Sequence, residues 1–396
     1  MIAETRCYNP PLDRMPSQRA VRAPTRLQRV IYTLRTEGGS RGQEAAAIGL
    51  GLGIGFSPFV GLHLGMCMAL GWLLGLNRLK LYLAANLVNP LIMPFVLATE
   101  VQVGSWLRRG ETYPVSFDTL GSLTPWNVGM DLLLGGMVVS IIGGMAAGLV
   151  TYAALGRRYR DPSFSRLTAA AADRYLGSSV TAWEFARAKL RGDPVYRAVL
   201  SSSWVPASGV LVDVGCGPGL LLALIAQAIE DAREGLWPPA GWPAAPRDLR
   251  LHGIEVRPRA ATIARHAVGE EADIQTADAT EAVLPESIDC ATVFDVLHLV
   301  DPAAQSKLVS RLAAAMRPGA LLMVREADAA AGWRFRMVRL GNRLTAFLRG
   351  HWRQTFAFRT AAEWRTTLAD LGFDVEIAPM SKGTPFANVL LVARRR

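Results

Sequence analysis

The chain has 396 residues, enough for two or three domains. It is 51% hydrophobic and only 19% charged, with a mean hydropathy of +0.21, which excludes an ordinary soluble enzyme throughout its length and places part of the chain in lipid. The formal net charge of +10 is compatible with nucleic acid, but it clusters beside apolar runs, which favours anionic lipid head groups.

Residues 1–43 read as a basic cytoplasmic segment: Arg6, Arg14, Arg19, Arg22, Arg26, Arg29, Arg35 and Arg41 outweigh Glu4, Asp13 and Glu37. A helical membrane domain is expected over 44–156. Ala45 to Leu76, Leu81 to Thr99 and Leu132 to Leu155 contain no Asp, Glu, Lys or Arg, and each reaches the ~18 residues that suggest a spanning helix. The first run is longer than one crossing needs and is interrupted by Ser57-Pro58, so a hairpin is expected there. Gly51 and Gly55, Gly61 and Gly65, and Gly71 and Gly75 stand four apart, the spacing that lets helices approach closely in lipid. Asn86, Asn89-Pro90 and Pro94 lie at membrane depth, where such groups are tolerated only if neighbouring backbone or a wet cavity satisfies them. Arg157, Arg158 and Arg160 follow the last run, so both flanks are expected to be cytoplasmic, and no removed leader is expected because the first apolar run starts so late.

The motif Gly55-Phe56-Ser57-Pro58-Phe59-Val60-Gly61, with the N-x-x-N-P of Asn86 to Pro90, resembles a family of bacterial membrane domains often joined to methyltransferases or glycosyltransferases. That resemblance implies no particular activity. His63 and the intramembrane asparagines are read as helix caps or interhelical hydrogen bonds rather than a transport site, since no carboxylate or lysine lies in any run. Cys7, Cys67, Cys216 and Cys290 show no C-x-x-C spacing, so neither a metal site nor disulfides are expected.

Residues 157–208 read as a helical linker that includes Tyr175, Arg187 and Lys189. Beyond it, Val212-Asp213-Val214-Gly215-Cys216-Gly217-Pro218-Gly219 sets an acid and three close glycines between an apolar strand and the apolar helix Leu220 to Ile229. Glycines there tolerate unusual backbone angles, and the helix turns its free N–H groups to the same spot. A dinucleotide fingerprint is G-x-G-x-x-G, whereas this is D-x-G-x-G-x-G, and the preceding carboxylate would repel phosphate while suiting the cationic aminopropyl end of S-adenosylmethionine. Cys216 within the loop reads as a small residue where bulk would clash. Leu236 to Pro243, rich in proline, is an inserted loop. A strand over Leu249 to Val256 then carries Glu255 for ribose hydroxyls, and Ile274 to Ala277 ends in Asp278 for the adenine amino group. The strand Ile288 to Asp295 ends in an acid, and Arg317-Pro318-Gly319 opens a strand over Ala320 to Val324.

These four signals in this order resemble the class I S-adenosylmethionine-dependent methyltransferases, over roughly Ser208 to Arg396. The resemblance implies a doubly wound α/β, seven-stranded Rossmann-like sheet closed by Phe373 to Ala378 and Asn388 to Ala393, with the loop Ser381 to Phe386 between them. It implies that Asp213, Gly215, Cys216, Gly217, Gly219, Glu255, Asp278 and Asp295 bind the cofactor, and that the linker folds over it as a lid, with Tyr175, Arg187 and Lys189 against the cofactor carboxylate or the acceptor.

Methyl transfer is an in-line displacement, so a base matters only if the acceptor has a proton to lose. His298, at the strand mouth beside Asp295, is the first candidate, with a helix-cap histidine as its alternative; Glu326 and then His351 follow. Trp333 to Arg349 alternates apolar and Arg positions at helical spacing, reading either as a membrane-surface helix or as a stripe packed on the sheet with solvated arginines. The reading that emerges is a multi-pass protein of the bacterial inner membrane with a cytoplasmic methyltransferase domain over 209–396. Its partners are the lipid bilayer and a small-molecule or lipid-linked acceptor, such as a pigment or lipid intermediate, with no nucleic acid. The alternatives are a membrane scaffold with a non-catalytic methyltransferase fold and, less suited to the glycine spacing, a nucleotide-linked dehydrogenase.

Overall fold

The computed structural model describes residues 23–36, 40–59, 61–113, 125–156, 161–348, 350–351, 353–381 and 384–396. The arginines before Ala23, Cys7, Arg157, Arg158 and Arg160, Arg349 and Lys382-Gly383 lie outside them, and with them most of the flank charge that bears on topology. From Arg26 onward the described residues divide between two compact units, Arg26 to Pro162 and Ser163 to Arg396.

The first unit is helical. After α1 (Arg26–Thr36), the long apolar run breaks as its Ser57-Pro58 demands into α2 (Arg41–Gly55) and α3 (His63–Leu73). Ser40 and Gln43 cap α2 reciprocally, and the Ser57 hydroxyl donates to Ile54 O at 2.7 Å where the helix ends. The second run divides into α4 (Arg78–Ala85) and α5 (Met93–Arg109). Asn86 Nδ2 donates to Tyr82 O at 2.8 Å, and Asn89 Oδ1 accepts from Leu91 N at 3.0 Å, so both amides serve helix ends. Only α6 (Pro125–Leu155), 31 residues at a hydropathy of 2.1, is long and apolar enough among the described residues to cross a membrane. Charge-free runs alone suggest three or more crossings; proline and asparagine interrupt the first two because they withdraw or compete for backbone hydrogen bonds.

Close approach governs packing in this unit. A Cβ at Gly51 would stand 2.3 Å from Leu81 O and one at Gly55 2.4 Å from Ala85 O, so α2 lies backbone to backbone on α4. Gly61, Gly65 and Gly75 meet nothing within 4 Å, so only the first of the three glycine pairs performs the expected role on both members. Gly135 does so unannounced, its Cβ position falling 1.7 Å from Glu100 O where α6 crosses α5. The charge-free runs end on carboxylates that this crossing buries: Asp131 accepts from Arg108 Nη1 at 2.9 Å, Arg109 Nη2 at 2.6 Å and Tyr113 OH at 2.8 Å, while neither oxygen of buried Glu100 has a partner among the described residues.

The second unit begins with three helices, α7 (Pro162–Asp173), α8 (Val180–Gly192) and α9 (Pro194–Ser201), and continues as alternating strands and helices. These are β1 (Ser208–Val214), α10 (Leu220–Arg233), β2 (Asp248–Glu255), α11 (Pro258–Val268), β3 (Ala272–Thr276), β4 (Ile288–Phe294), α12 (Pro302–Ala315), β5 (Met316–Ala327), α13 (Trp333–Leu348), α14 (Ala361–Asp370), β6 (Phe373–Pro379) and β7 (Asn388–Arg395). They form one seven-stranded sheet in the order β3-β2-β1-β4-β5-β7-β6, in which β7 alone runs antiparallel to its neighbours. β1 is buried from Val210 to Val214, as a central parallel strand covered on both faces requires, and Val212, Val214, Val293, Leu322 and Leu391 share one core with Trp364 and Phe373.

Two local readings change. Arg317-Pro318-Gly319 lies inside β5, in a bulge that shifts the β4 register between Ile288 and Cys290, rather than in a turn before the strand. The Leu236 to Pro243 loop is neither helix nor strand, as its prolines dictate, but Trp237 is buried and meets Trp242 edge-on at 5.0 Å, and Trp242 reaches Phe164 of α7 at 6.0 Å.

Candidate active site

At the carboxyl ends of β1, β2 and β4 the chain opens a cleft of about 1720 Å³. Gly215 leaves β1 at φ +68°, and a Cβ there would strike Val296 Cγ2 at 2.3 Å, so both angle and space exclude any other residue. Its N–H and that of Cys216 donate to Ile254 O at 2.7 and 3.0 Å, tying the loop to β2. Gly219, at φ +77°, is the N-cap of α10 and offers no side chain, so the first-turn N–H groups stay free for a ligand.

Asp213, 4% exposed, has a single side-chain hydrogen bond among the described residues, accepted from Thr292 Oγ1 at 2.7 Å. Burial pushes its carboxyl up to about 7, the Thr292 bond opposes this, and the nearby Glu255 charge adds to it. Glu255 Oε2 accepts from Gly217 N at 2.8 Å, and Oε1 accepts from Arg257 N at 2.9 Å and Nε at 2.8 Å. The acid expected to serve ribose hydroxyls is thus held by the loop it faces and by a half-exposed guanidinium. Asp278 Oδ1 accepts from Thr280 N and Oγ1, both at 2.8 Å, which hold its carboxyl below the usual range.

Asp213, Gly215, Cys216, Glu255, Asp278 and Asp295 all line the cleft, while Gly217 and Gly219 of the same loop do not. Burial, with the Asp213 and Glu255 charges, pushes the Cys216 thiol well up, and a Cβ on Gly253 would lie 2.9 Å from its Sγ, so it fills space as a small residue.

The same cleft holds His298, in the 3₁₀ turn Leu297–Leu299 after β4, and not as a helix cap. Its Nδ1 lies 2.7 Å from Glu326 Oε2, and Glu326 Oε1 accepts from Leu297 N at 2.7 Å. Glu326 lies within β5 and is only 2% exposed, which places it to orient His298. Burial pulls the His298 imidazolium down, but the hydrogen bond and charge of Glu326 outweigh it and leave the pKa raised. The ring stacks on Phe358 at 4.8 Å and 7°, with Phe356 at 6.1 Å. His351 lines the cleft as well.

Of the three linker residues, Lys189 alone lines the cleft; Tyr175 is fully buried with its hydroxyl donating to Pro218 O at 2.9 Å, and Arg187 lies over the Trp183 ring. Sequence reasoning missed Arg325, Asp193 and the Phe356/Phe358 platform. Arg325 is 3% exposed and joins Asp193 Oδ2 at 2.9 Å to Asp295 Oδ2 at 2.7 Å, so Asp295 is an ion-pair partner within the cleft wall. A lone arginine directly after the apolar run Leu321 to Val324 was the available signal, since a buried charge needs a partner.

Residues 183–377 match a family profile described as "Methyltransferase domain". The chain carries a methyltransferase domain. Residues 25–161 match a second profile, described as an uncharacterized protein conserved in bacteria (DUF2062), in agreement with the resemblance of its two motifs. No curated protein matches the chain. Solved structures similar to it include an S-adenosylmethionine-dependent methyltransferase from Methanosarcina mazei at 17% identity, covering 49% of this chain and 95% of that one with a TM-score of 0.35. A magnesium protoporphyrin IX methyltransferase from Synechocystis PCC 6803 with bound SAH is 18% identical over 62% and 94%, TM-score 0.34. An O-methyltransferase family protein from Burkholderia thailandensis is 13% identical over 83% and 87%, TM-score 0.39. Likeness at this level identifies no substrate.

The cofactor of the methyltransferase domain is S-adenosylmethionine, and the residues present fit it. A buried carboxylate with one hydrogen bond and no cation among the described residues suits a cationic ligand and opposes a pyrophosphate, while the glycine loop leaves room and free N–H groups beside it.

Proposed function

We propose that the protein is a membrane-anchored methyltransferase that methylates a hydroxyl or similar proton-bearing group of a small-molecule or lipid-linked acceptor, in pigment or lipid biosynthesis. Asp213 and the Gly215 to Gly219 loop would hold the amino acid end of S-adenosylmethionine, Glu255 its ribose and Asp278 its adenine, with α6 as the anchor. Bound there, the cofactor supplies an electrophilic methyl on sulfur. The observation that carries the reading is the His298–Glu326 pair, 2.7 Å apart, in the cleft that the cofactor loop lines. With Nδ1–H donating to Glu326, the Nε2 lone pair is left to take the acceptor proton. Nε2 would take the acceptor's hydroxyl proton and so leave its oxygen to accept the methyl that the cofactor would supply, with the neutral thioether as the other product. Phe356 and Phe358 give the acceptor end an aromatic wall, which suits a planar or conjugated group.

The test is transfer of labelled methyl from S-adenosylmethionine into organic-extractable product by the full chain in proteoliposomes made with total lipid extract of a bacterial membrane. Wild type is expected to label the organic phase; His298→Ala should lose about 10²–10⁴ of the rate while still binding the cofactor in calorimetry. Absence of cofactor binding by wild type refutes the reading.

A further inference from the structure

The stripe on α13 has two possible uses, packing on the sheet or facing outwards, and the structure decides between them. Only Ala346 of its sixteen residues is buried. Trp333, Leu340, Leu344, Phe347 and Leu348 are 57%, 62%, 55%, 61% and 74% exposed, and Met337 is exposed with them. At 3.6 residues per turn these six side chains occupy an arc of about 100°. Val338, Asn342, Thr345 and Ala346 lie on the opposite side, and they line the cleft. The helix is therefore a wall of the acceptor cleft on one face and an exposed apolar surface on the other. Arg334 borders one edge of the apolar arc and Arg336 and Arg343 the other, with Arg339 beyond, and no acidic residue occurs in the helix. Phe185, Leu299 and Phe386, also cleft-lining, are exposed as well.

We infer that α13 is an interfacial helix that seats the methyltransferase domain on an anionic lipid surface and thereby opens the acceptor cleft directly to the bilayer. The occupant is argued from charge. A second copy of this chain would bring four arginines against four arginines across an apolar contact, whereas phosphatidylglycerol head groups pair with them while the apolar arc enters the acyl boundary. The inference rests on the cleft being the acceptor site proposed above. It deepens that reading by naming the source of the acceptor: an amphiphile resident in the membrane, whose head group passes the α13 wall to reach His298. A chain anchored through α6 would need little further affinity, since tethering makes docking intramolecular.

The experiment uses the full chain in lipid nanodiscs, with an environment-sensitive fluorophore on L340C in a C7S background; Cys67, Cys216 and Cys290 are buried. The same probe on V283C, at an exposed position outside the helix, is the control. In phosphatidylglycerol discs the Leu340 probe is expected to emit as in an apolar medium and the Val283 probe as in water. In phosphatidylcholine discs the Leu340 signal should fall towards the aqueous value. Replacing Arg336, Arg339 and Arg343 by Gln should weaken docking about five-fold for each arginine removed. Binding of S-adenosylmethionine, measured in parallel, should not change, because none of the three lines the cleft. A water-like Leu340 signal in both lipids overturns the inference. So does an apolar signal of equal size in both, or one that follows protein concentration and not lipid, which would assign the surface to a second copy of the chain. Loss of cofactor binding by wild type would instead refute the catalytic reading and leave the docking result to stand alone.

Discussion

Binding of S-adenosylmethionine should depend on pH through Asp213. Its carboxyl is raised from 3.8 to about 7 by burial, offset in part by the Thr292 hydrogen bond and reinforced by Glu255. A shift of this size is on the order of 4 kcal/mol between the protonated and charged forms. Because the folded state holds this proton more tightly than the unfolded chain, Asp213 lowers stability as pH rises from about 4 to 7. A cationic ligand selects the carboxylate, so affinity must move the other way, rising with pH until the proton has left. With a carboxyl at about 7, the affinity should fall about 50-fold between pH 7 and pH 5, and binding should release about half a proton at pH 7 and nearly one at pH 6. Titration calorimetry of the full chain in two buffers of different ionisation enthalpy counts those protons. Asp213→Asn keeps an acceptor for Thr292 but removes the charge; its affinity at pH 7 should drop by about 1.5–3 kcal/mol and become flat with pH. Wild-type affinity that does not change between pH 5 and 7, or a slope that survives in Asp213→Asn, would refute the reasoning.

Glu326→Gln should move the acid limb of the kcat/KM profile to lower pH by about 1–3 units, because it removes the larger contributions that raise His298 and leaves burial, which lowers it, opposed only by the Asp295 charge; an unmoved limb would show that His298 is not the base. Gly215→Ala should abolish cofactor binding, since its Cβ meets Val296 Cγ2 at 2.3 Å, while Gly217→Ala, with its nearest neighbour at 3.8 Å, should cost only the ~1–2 kcal/mol of a left-handed backbone; equal losses in calorimetry would contradict this. Arg325→Met should take one cation from Asp193, which keeps Lys189 Nζ at 2.8 Å, and from part-exposed Asp295, and cost about 1–3 kcal/mol, seen as a lower thermal midpoint, whereas a neutral result would mean that the pair is not desolvated.

Sequence by itself determined the elements whose signals are local. The D-x-G-x-G-x-G run required a strand, a tight left-handed loop and a helix whatever surrounded it, because few residues other than glycine tolerate φ near +60°. The alternation of apolar strands and helices set a parallel α/β sheet, and the prolines of Leu236 to Pro243 excluded regular structure. In the helical unit, Ser57-Pro58 and Asn86 to Pro90 marked breaks that the structure contains. What depends on partners distant in sequence was decided only by tertiary structure. Glu326 reads in sequence as an acid after a strand, and only the pairing of β4 beside β5 turns it towards His298. Arg325 reads as an oddity until Asp193 and Asp295 come to it from two other elements. Gly135 and Glu100 share no local pattern, yet the crossing of α5 and α6 sets one against the other. The α13 stripe has the same periodicity whether it packs inwards or faces lipid, because periodicity fixes that a face is apolar and only the surrounding fold decides what covers it.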